Sequence, residues 1–182
     1  DIAVDVSQLW KEQQNSRPRV QARWKPPDEN VLKLNVDAQY GDAAGHGGTG
    51  CVFRGTNGNL IRAQSRWYEF AASATMMEAY AIRDAVRLAS DMGWQRIKIE
   101  TDALQDSWKT QAFERADIAC PMQEVKELCG NFASFSISFI GREANMAAHL
   151  CAHQASEVRR RCLWINFVPK FLRDCNTRGY IA

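Results

Sequence analysis

The sequence predicts an α/β domain in which a mixed β-sheet carries helices on its faces. The chain has 182 residues, of which 46% are hydrophobic and 24% are charged, values typical of a soluble globular domain. Three strand-like runs come first, and from residue 74 helical and strand-like periods alternate, in the order βββαβα(α)βα. An antiparallel meander followed by α/β units is the sequence pattern of a mixed sheet with flanking helices.

A period of two predicts the first three strands. Over 32–37 apolar residues alternate with polar ones, which is typical of a half-buried strand. A glycine-rich turn over 41–48 and a short strand over 50–54 follow. Residues 56–59 (Thr-Asn-Gly-Asn) are typical of a hairpin turn, so the chain is expected to return as a third strand over 60–68.

The period changes to three and four after residue 73. Apolar residues over 74–92 recur on one helical face, and Gly93 suits the position directly after a helix end. A strand over 95–101 follows. The remaining predicted elements are helices over 103–110, 118–130 and 143–158, and a strand over 135–140.

Composition along the chain divides it into three parts. Three of the five prolines lie before residue 28, so we predict an N-terminal remnant and a proline-containing linker over 1–28. The predicted domain spans 29–157, and its body is mildly acidic. Residues 158–182 form a basic extension that also holds the large apolar residues Trp164, Phe167, Val168, Phe171 and Leu172. That apolar content predicts docking of the extension, on the domain or on a partner.

Six cysteines occur without a C-x-x-C pair, and no secretory signal is visible. We therefore expect reduced thiols and an intracellular protein, cytoplasmic or nuclear. No run approaches the roughly 18 apolar residues of a membrane helix, so no membrane association is expected.

Three carboxylate residues lie at positions that are compatible with a catalytic site. Asp37 and Asp102 lie near the carboxyl ends of predicted strands, where ligands bind in open α/β sheets. Glu78 lies in the middle of the first helix, within or beside its buried face, and an unpaired buried carboxylate is costly. An all-oxygen set of this kind suits Mg²⁺ or Mn²⁺ and not zinc. Its use is two-metal phosphoryl chemistry, so two ions are expected with substrate.

Other motifs are weaker. Residues 45–50 match G-x-G-x-x-G in letters, but a dinucleotide-binding loop must open into a helix, and here a strand is predicted to follow. No phosphate-loop lysine and no G-x-S-x-G elbow is present. We therefore expect no small-molecule cofactor.

Five segments together resemble ribonuclease H type 1, and especially the plant reverse-transcriptase-like branch of that family. They cover about residues 24–156 in the family's order: WKPP…VLKLNVDAQY, GGTGCVFRGTNGNL, MMEAYAIRDAVRLASDMG, IKIETDALQ and FIGREANMAAHLCAHQAS. The resemblance implies a ribonuclease H-like fold with a five-stranded mixed sheet in the order 3-2-1-4-5. It also implies metal-dependent hydrolysis of the RNA strand in RNA–DNA hybrids.

Carried over by motif, the resemblance makes Asp37, Glu78 and Asp102 metal-binding catalytic residues. The family's fourth catalytic position is an Asp in an N-x-x-A-D-like motif, which here begins at Asn145 and has His149 in place of the Asp. Mg²⁺ strongly prefers oxygen ligands, and a neutral His binds it only poorly. The replacement is therefore expected to lower metal-dependent activity.

Contacts with nucleic acid are expected from Arg142, Asn145, Arg159, Arg160 and Arg161. Two alternatives to an autonomous enzyme stay open. The domain could be a catalytically weak or inactive nucleic-acid- or protein-interaction module of a larger plant protein. It could also be a retroelement-derived fragment that acts only with its parent polypeptide.

Overall fold

A computed structural model describes residues 24–41, 43–103 and 116–177. The elements, in chain order, are β1 (Leu32–Gly41), β2 (His46–Arg54), β3 (Leu60–Tyr68), α1 (Ala74–Asp91), β4 (Arg96–Thr101), α2 (Ala116–Cys129), β5 (Ser134–Phe139), a 3₁₀ turn (Arg142–Asn145), α3 (Met146–Val158), β6 (Cys162–Ile165) and α4 (Lys170–Thr177). The helix predicted over 103–110 lies almost entirely outside the described residues.

The strands form one mixed sheet in the order β5-β4-β1-β2-β3-β6. β1, β4 and β5 are parallel to one another, whereas the β1–β2, β2–β3 and β3–β6 pairs are antiparallel. The predicted order 3-2-1-4-5 is present within it, but the predicted number of five strands is wrong. The sixth strand comes from the C-terminal extension, whose residues 162–165 pair with the edge of β3 and so satisfy its backbone groups.

The main core lies between the sheet and α1. The Ser73 Oγ caps this helix by accepting a hydrogen bond from the Met76 backbone N–H at 3.1 Å. The apolar face of α1 then packs on β1, with Ile82 and Leu34 both fully buried. Helix α2 packs beside α1 and completes this layer.

The opposite face of the sheet is covered by α3, which lies unusually close to β2. A Cβ atom added to Gly50 would be 2.3 Å from the Ala148 carbonyl oxygen, and one added to Gly48 would be 2.6 Å from that of Ala152. The sequence assigns Gly48 to a turn. In the structure it lies inside β2, because the missing side chain admits the backbone of α3.

Strand β1 is buried on both faces, in contrast to the half-buried strand that the alternation predicts. Lys33, Asn35 and Asp37 are 3%, 0% and 6% exposed. Their face of the strand is covered by α3 and by Trp24, which the sequence places in the linker and which is itself buried. The polar half of the alternation therefore marks a second, polar interior and not a solvated surface.

The C-terminal extension packs on the domain. Trp164, Val168, Phe171 and Leu172 join Val52, Ala63, Ala147 and Cys151 in a separate apolar cluster. Phe167 is the exception, since half of its surface stays exposed. None of the six cysteines, all of which lie in the described part of the chain, forms a disulfide bond. None of the helices among the described residues combines the length and the apolar character that crossing a bilayer requires.

Candidate active site

Asp37 and Asp102 are brought together by the pairing of two parallel strands. Val36 of β1 pairs with Thr101, the last residue of β4, so the two aspartates that follow lie side by side at the carboxyl edge of the sheet. Asp37 is 6% exposed. Burial raises the pKa of Asp37, and the neighbouring charge of Asp102 raises it further. Two close carboxylates with little water around them repel each other.

Glu78 adds a third carboxylate from the second turn of α1. Its Oε2 atom is buried and has no hydrogen-bond partner. Burial raises the pKa of Glu78 well above its ordinary value, and the charges of Asp37 and Asp102 act in the same direction. The three carboxylates that the sequence singles out therefore act electrostatically on one another.

His149 faces this group from the second turn of α3. Its Nδ1 atom lies 2.8 Å from Asp37 Oδ2. This hydrogen bond raises the pKa of His149 above its ordinary value, against the opposing effect of its partial burial. A protonated imidazole there donates to Asp37 and offsets part of the negative charge.

Asn145 and Arg142 hold Asp102. The Asn145 Nδ2 atom lies 2.5 Å from Asp102 Oδ1 and also donates to the Val36 carbonyl oxygen at 2.8 Å. The Arg142 Nε atom lies 3.5 Å from Asp102 Oδ2, and the Arg142 side chain is 77% exposed. Arg142 is thus accessible to a ligand, although its contact with nucleic acid stays a prediction. Asn145 is not, because it is 1% exposed and its amide is used inside the protein.

The donor chemistry of this site fits a hard divalent cation. The charges of Asp37 and Asp102 act on Glu78, and the Glu78 Oε2 atom is buried without a hydrogen-bond partner. Among the described residues, however, no three His, Cys, Asp or Glu side chains lie close enough to hold one ion together. One carboxylate oxygen of Asp37 is in contact with His149, and one of Asp102 is in contact with Asn145. An ion bound at this site would compete with these two contacts.

Comparison with known proteins places this arrangement in a family. A family model described as reverse transcriptase-like matches residues 35–155, about two thirds of the chain. The chain belongs to the reverse transcriptase-like family. Among curated proteins none matches it. The plant branch of the family stays a prediction.

Solved structures show that this reverse transcriptase-like domain has the ribonuclease H fold. RNase H1 from the halophilic archaeon Halobacterium salinarum is similar over 70% of this chain and 98% of its own, with a TM-score of 0.63 and 21% identity. The N-terminal RNase H domain of a Mycobacterium tuberculosis protein covers 70% and 94%, with a TM-score of 0.62 and 14% identity. LC11-RNase H1, solved in complex with an RNA/DNA hybrid, covers 71% and 97%, with a TM-score of 0.57 and 14% identity.

The arginine run lies away from the carboxylates. Arg159 ends α3 in a left-handed conformation, with φ at 49°, and its guanidinium lies 5.5 Å from the ring centre of Trp67. Ten helical residues, or about 15 Å, separate it from His149. Arg160 is exposed. Arg161 donates to the Gln64 Oε1 atom at 3.1 and 2.9 Å, so it braces β6 against β3.

Sequence reasoning missed the buried polar residues behind the site. Lys33, Asn35 and Glu100 occupy neighbouring positions on β1 and β4, and Arg54 reaches them from β2. The signal was present in the sequence as the polar half of the β1 alternation. The alternation by itself predicts a half-buried strand with one solvated face, because the elements that cover this face are distant in the chain.

Proposed function

We propose that this reverse transcriptase-like domain is a metal-dependent endonuclease that hydrolyses the RNA strand of RNA–DNA hybrids. One observation carries the proposal: Glu78 Oε2 is buried without a partner beside Asp37 and Asp102, in a domain with the ribonuclease H fold. A divalent cation supplies the missing positive charge without a basic side chain. The solved complex of LC11-RNase H1 with an RNA/DNA hybrid supports the choice of substrate.

In this proposal Asp37, Glu78 and Asp102 hold Mg²⁺ or Mn²⁺. Bound ions of this kind activate water and stabilise the leaving oxygen in phosphoryl transfer. The protein's own contribution is to keep three carboxylates in place in a site with little water. Asn145 fixes one oxygen of Asp102, and His149 holds Asp37.

Substrate binding is proposed to depend on the exposed Arg142 side chain beside Asp102, where a phosphate of the hybrid would approach. Phosphate contacts are also proposed for Arg159, Arg160 and Arg161. The proposal is weakest for Arg161, because its guanidinium already donates to Gln64. A cytoplasmic or nuclear location also remains a proposal.

A second candidate is an interaction module without catalysis, within a larger polypeptide. The contact between His149 and Asp37 favours it, because the imidazole takes an oxygen that a metal ion needs. Mg²⁺ would have to displace or tolerate a nitrogen group that it binds poorly.

One experiment separates the two candidates. A labelled RNA–DNA hybrid, the matching DNA duplex and the matching RNA duplex are incubated with the full chain in Mg²⁺, in Mn²⁺ and in chelator. Under the proposal only the RNA strand of the hybrid is cut, only with metal, and the Asp37→Asn variant is inactive. Asp91→Asn, an exposed aspartate at the far end of α1, is the matched control and keeps activity.

A different result would support the interaction module. If the wild-type chain binds the hybrid without cutting it in either metal, and Asp37→Asn binds as tightly, the module is the correct assignment. Residual cleavage that survives Asp37→Asn belongs to a contaminant and counts against the enzyme.

A further inference from the structure

A buried network of polar side chains lies between β1 and α3, directly behind Asp102. Its members are almost without solvent contact: Trp24 is 7% exposed, Lys33 3%, Asn35 0%, Arg54 1%, Glu100 1% and Asn145 1%. Buried polar groups of this number are costly unless they are hydrogen-bonded to one another. None of these six residues is a proposed metal ligand, so metal binding does not by itself explain why they are buried.

The orientation of the Asn35 amide is fixed by two partners that can only donate. The Trp24 Nε1 and Arg54 Nη1 atoms each lie 2.9 Å from Asn35 Oδ1. Burial lowers the pKa of Arg54 to about 10, so its guanidinium stays protonated at neutral pH and has no lone pair to accept with. The guanidinium also stacks on the Trp24 ring at 4.6 Å. The Asn35 oxygen must therefore face these two groups.

The Asn35 nitrogen then faces two acceptors. It lies 3.1 Å from Glu100 Oε2 and 3.3 Å from Asn145 Oδ1. Glu100 forms an ion pair with Lys33, whose Nζ lies 2.8 Å from Glu100 Oε1. Because Asn145 receives this hydrogen bond on its oxygen, its own nitrogen is turned toward Asp102 and the Val36 carbonyl.

We propose that Asn35 is a positioning residue for Asp102, acting through a chain of two amides whose polarity is fixed by Trp24 and Arg54. The inference rests on the proposed function, in which Asp102 is a metal ligand. A group that orients a metal ligand from behind changes metal affinity or activity by about 10–100-fold when it is replaced. We expect an effect of that size on both quantities.

Two variants of the full chain separate positioning from simple stability. In Asn35→Asp the new carboxylate keeps the bonds from Trp24 and Arg54, but it can donate to neither Glu100 nor Asn145. In the double variant Asn35→Asp with Glu100→Gln, the net charge of the network is restored and the new amide at position 100 can donate to position 35. The bond to Asn145 remains absent. Asn57→Asp, in the exposed β2–β3 turn, is the matched control.

Four measurements are made: the melting temperature, Mn²⁺ affinity by electron paramagnetic resonance, the steady-state kinetics of hybrid cleavage (kcat and KM), and the side-chain amide signals of Asn145 by NMR without metal. In Asn35→Asp we expect Mn²⁺ affinity and kcat to fall about 10–100-fold, with a smaller change in KM. In the double variant the melting temperature should recover while Mn²⁺ affinity stays low. The control should match the wild type in all four.

The proposal is overturned if the double variant recovers Mn²⁺ affinity together with its melting temperature, since the network then acts through stability alone. It is also overturned if the wild-type Asn145 side-chain amide exchanges freely with water, a result that needs no variant to fold. A wild-type chain that neither binds Mn²⁺ nor cuts the hybrid contradicts the proposed function instead. The NMR signals report the amide chain in either case.

Discussion

Replacing Glu78 by glutamine tests the electrostatic account of the site most directly. The substitution keeps the shape of the side chain and removes one negative charge. In the metal-free protein that charge is unfavourable, because Oε2 is buried without a partner and Asp37 and Asp102 lie close enough to raise the pKa of Glu78. We therefore expect Glu78→Gln to stabilise the metal-free fold, although it removes a proposed metal ligand.

The size of the effect follows from the removal of one buried, unpaired charge, since the amide that replaces it can donate to the neighbouring carboxylates. Leaving such a group unsatisfied costs about 1–3 kcal/mol, and more when it is charged. A gain of about 2 kcal/mol corresponds to about 4–8 °C in the melting temperature for a chain of this size.

The sign of the pH dependence follows from the raised pKa. The native state holds the Glu78 proton to a higher pH than the unfolded state does, so the free energy of unfolding falls as pH rises from about 4.5, the ordinary pKa of Glu78, toward the raised value. This contribution to the fall is absent in Glu78→Gln.

The assay is urea and thermal unfolding in chelator between pH 4 and pH 8, repeated with Mg²⁺. The wild type should gain about 2.7 kcal/mol at a metal concentration 100 times its Kd, and Glu78→Gln should gain much less. The control is Glu69→Gln, which removes an exposed carboxylate in the loop before α1. A Glu78→Gln variant that is less stable than the wild type at pH 7 in chelator would refute the reasoning.

Three further predictions concern other parts of the molecule. His149→Asp should raise Mg²⁺-dependent cleavage of the hybrid, because it restores an oxygen ligand; unchanged or lower cleavage would show that this position is not a deficient ligand. Gly50→Ala should lower the melting temperature by about 10 °C or more, as a severe core defect does. The reason is that the new Cβ would lie 2.3 Å from the Ala148 carbonyl oxygen. A smaller loss would mean that α3 moves away at low cost. Trp164→Ala should cost about 1–3 kcal/mol in urea unfolding, because Trp164 is partly buried against the apolar cluster under α4. The salt dependence of hybrid binding should not change. A change in the salt slope with stability intact would assign the extension to phosphate contacts instead.

The sequence by itself determined the features that depend on local periodicity. The alternation of β1 and the three-to-four spacing over α1 placed these elements within a few residues of where they lie. The positions of Asp37 and Asp102 at strand ends followed, because parallel strands bring their carboxyl ends to one edge. The resemblance to ribonuclease H supplied the strand order that periodicity leaves open.

Only the tertiary structure decided what covers each face. The polar residues of β1 are compatible with solvent in the sequence, but Trp24 and α3 enclose them, so that Asn35 has no exposed surface. Asn145 turned inward for the same reason, since its amide meets Asn35 and Val36 of β1 and Asp102 after β4, two segments that are distant from it in the chain.

The sixth strand is the other feature that the local pattern does not contain. Residues 162–165 are too few to specify a strand alone, and they become one because the edge of β3 offers unpaired backbone groups. Local sequence sets the period of an element at short range. Which polar groups are buried, and which edge a short segment pairs with, depends on contacts between residues up to about 110 positions apart.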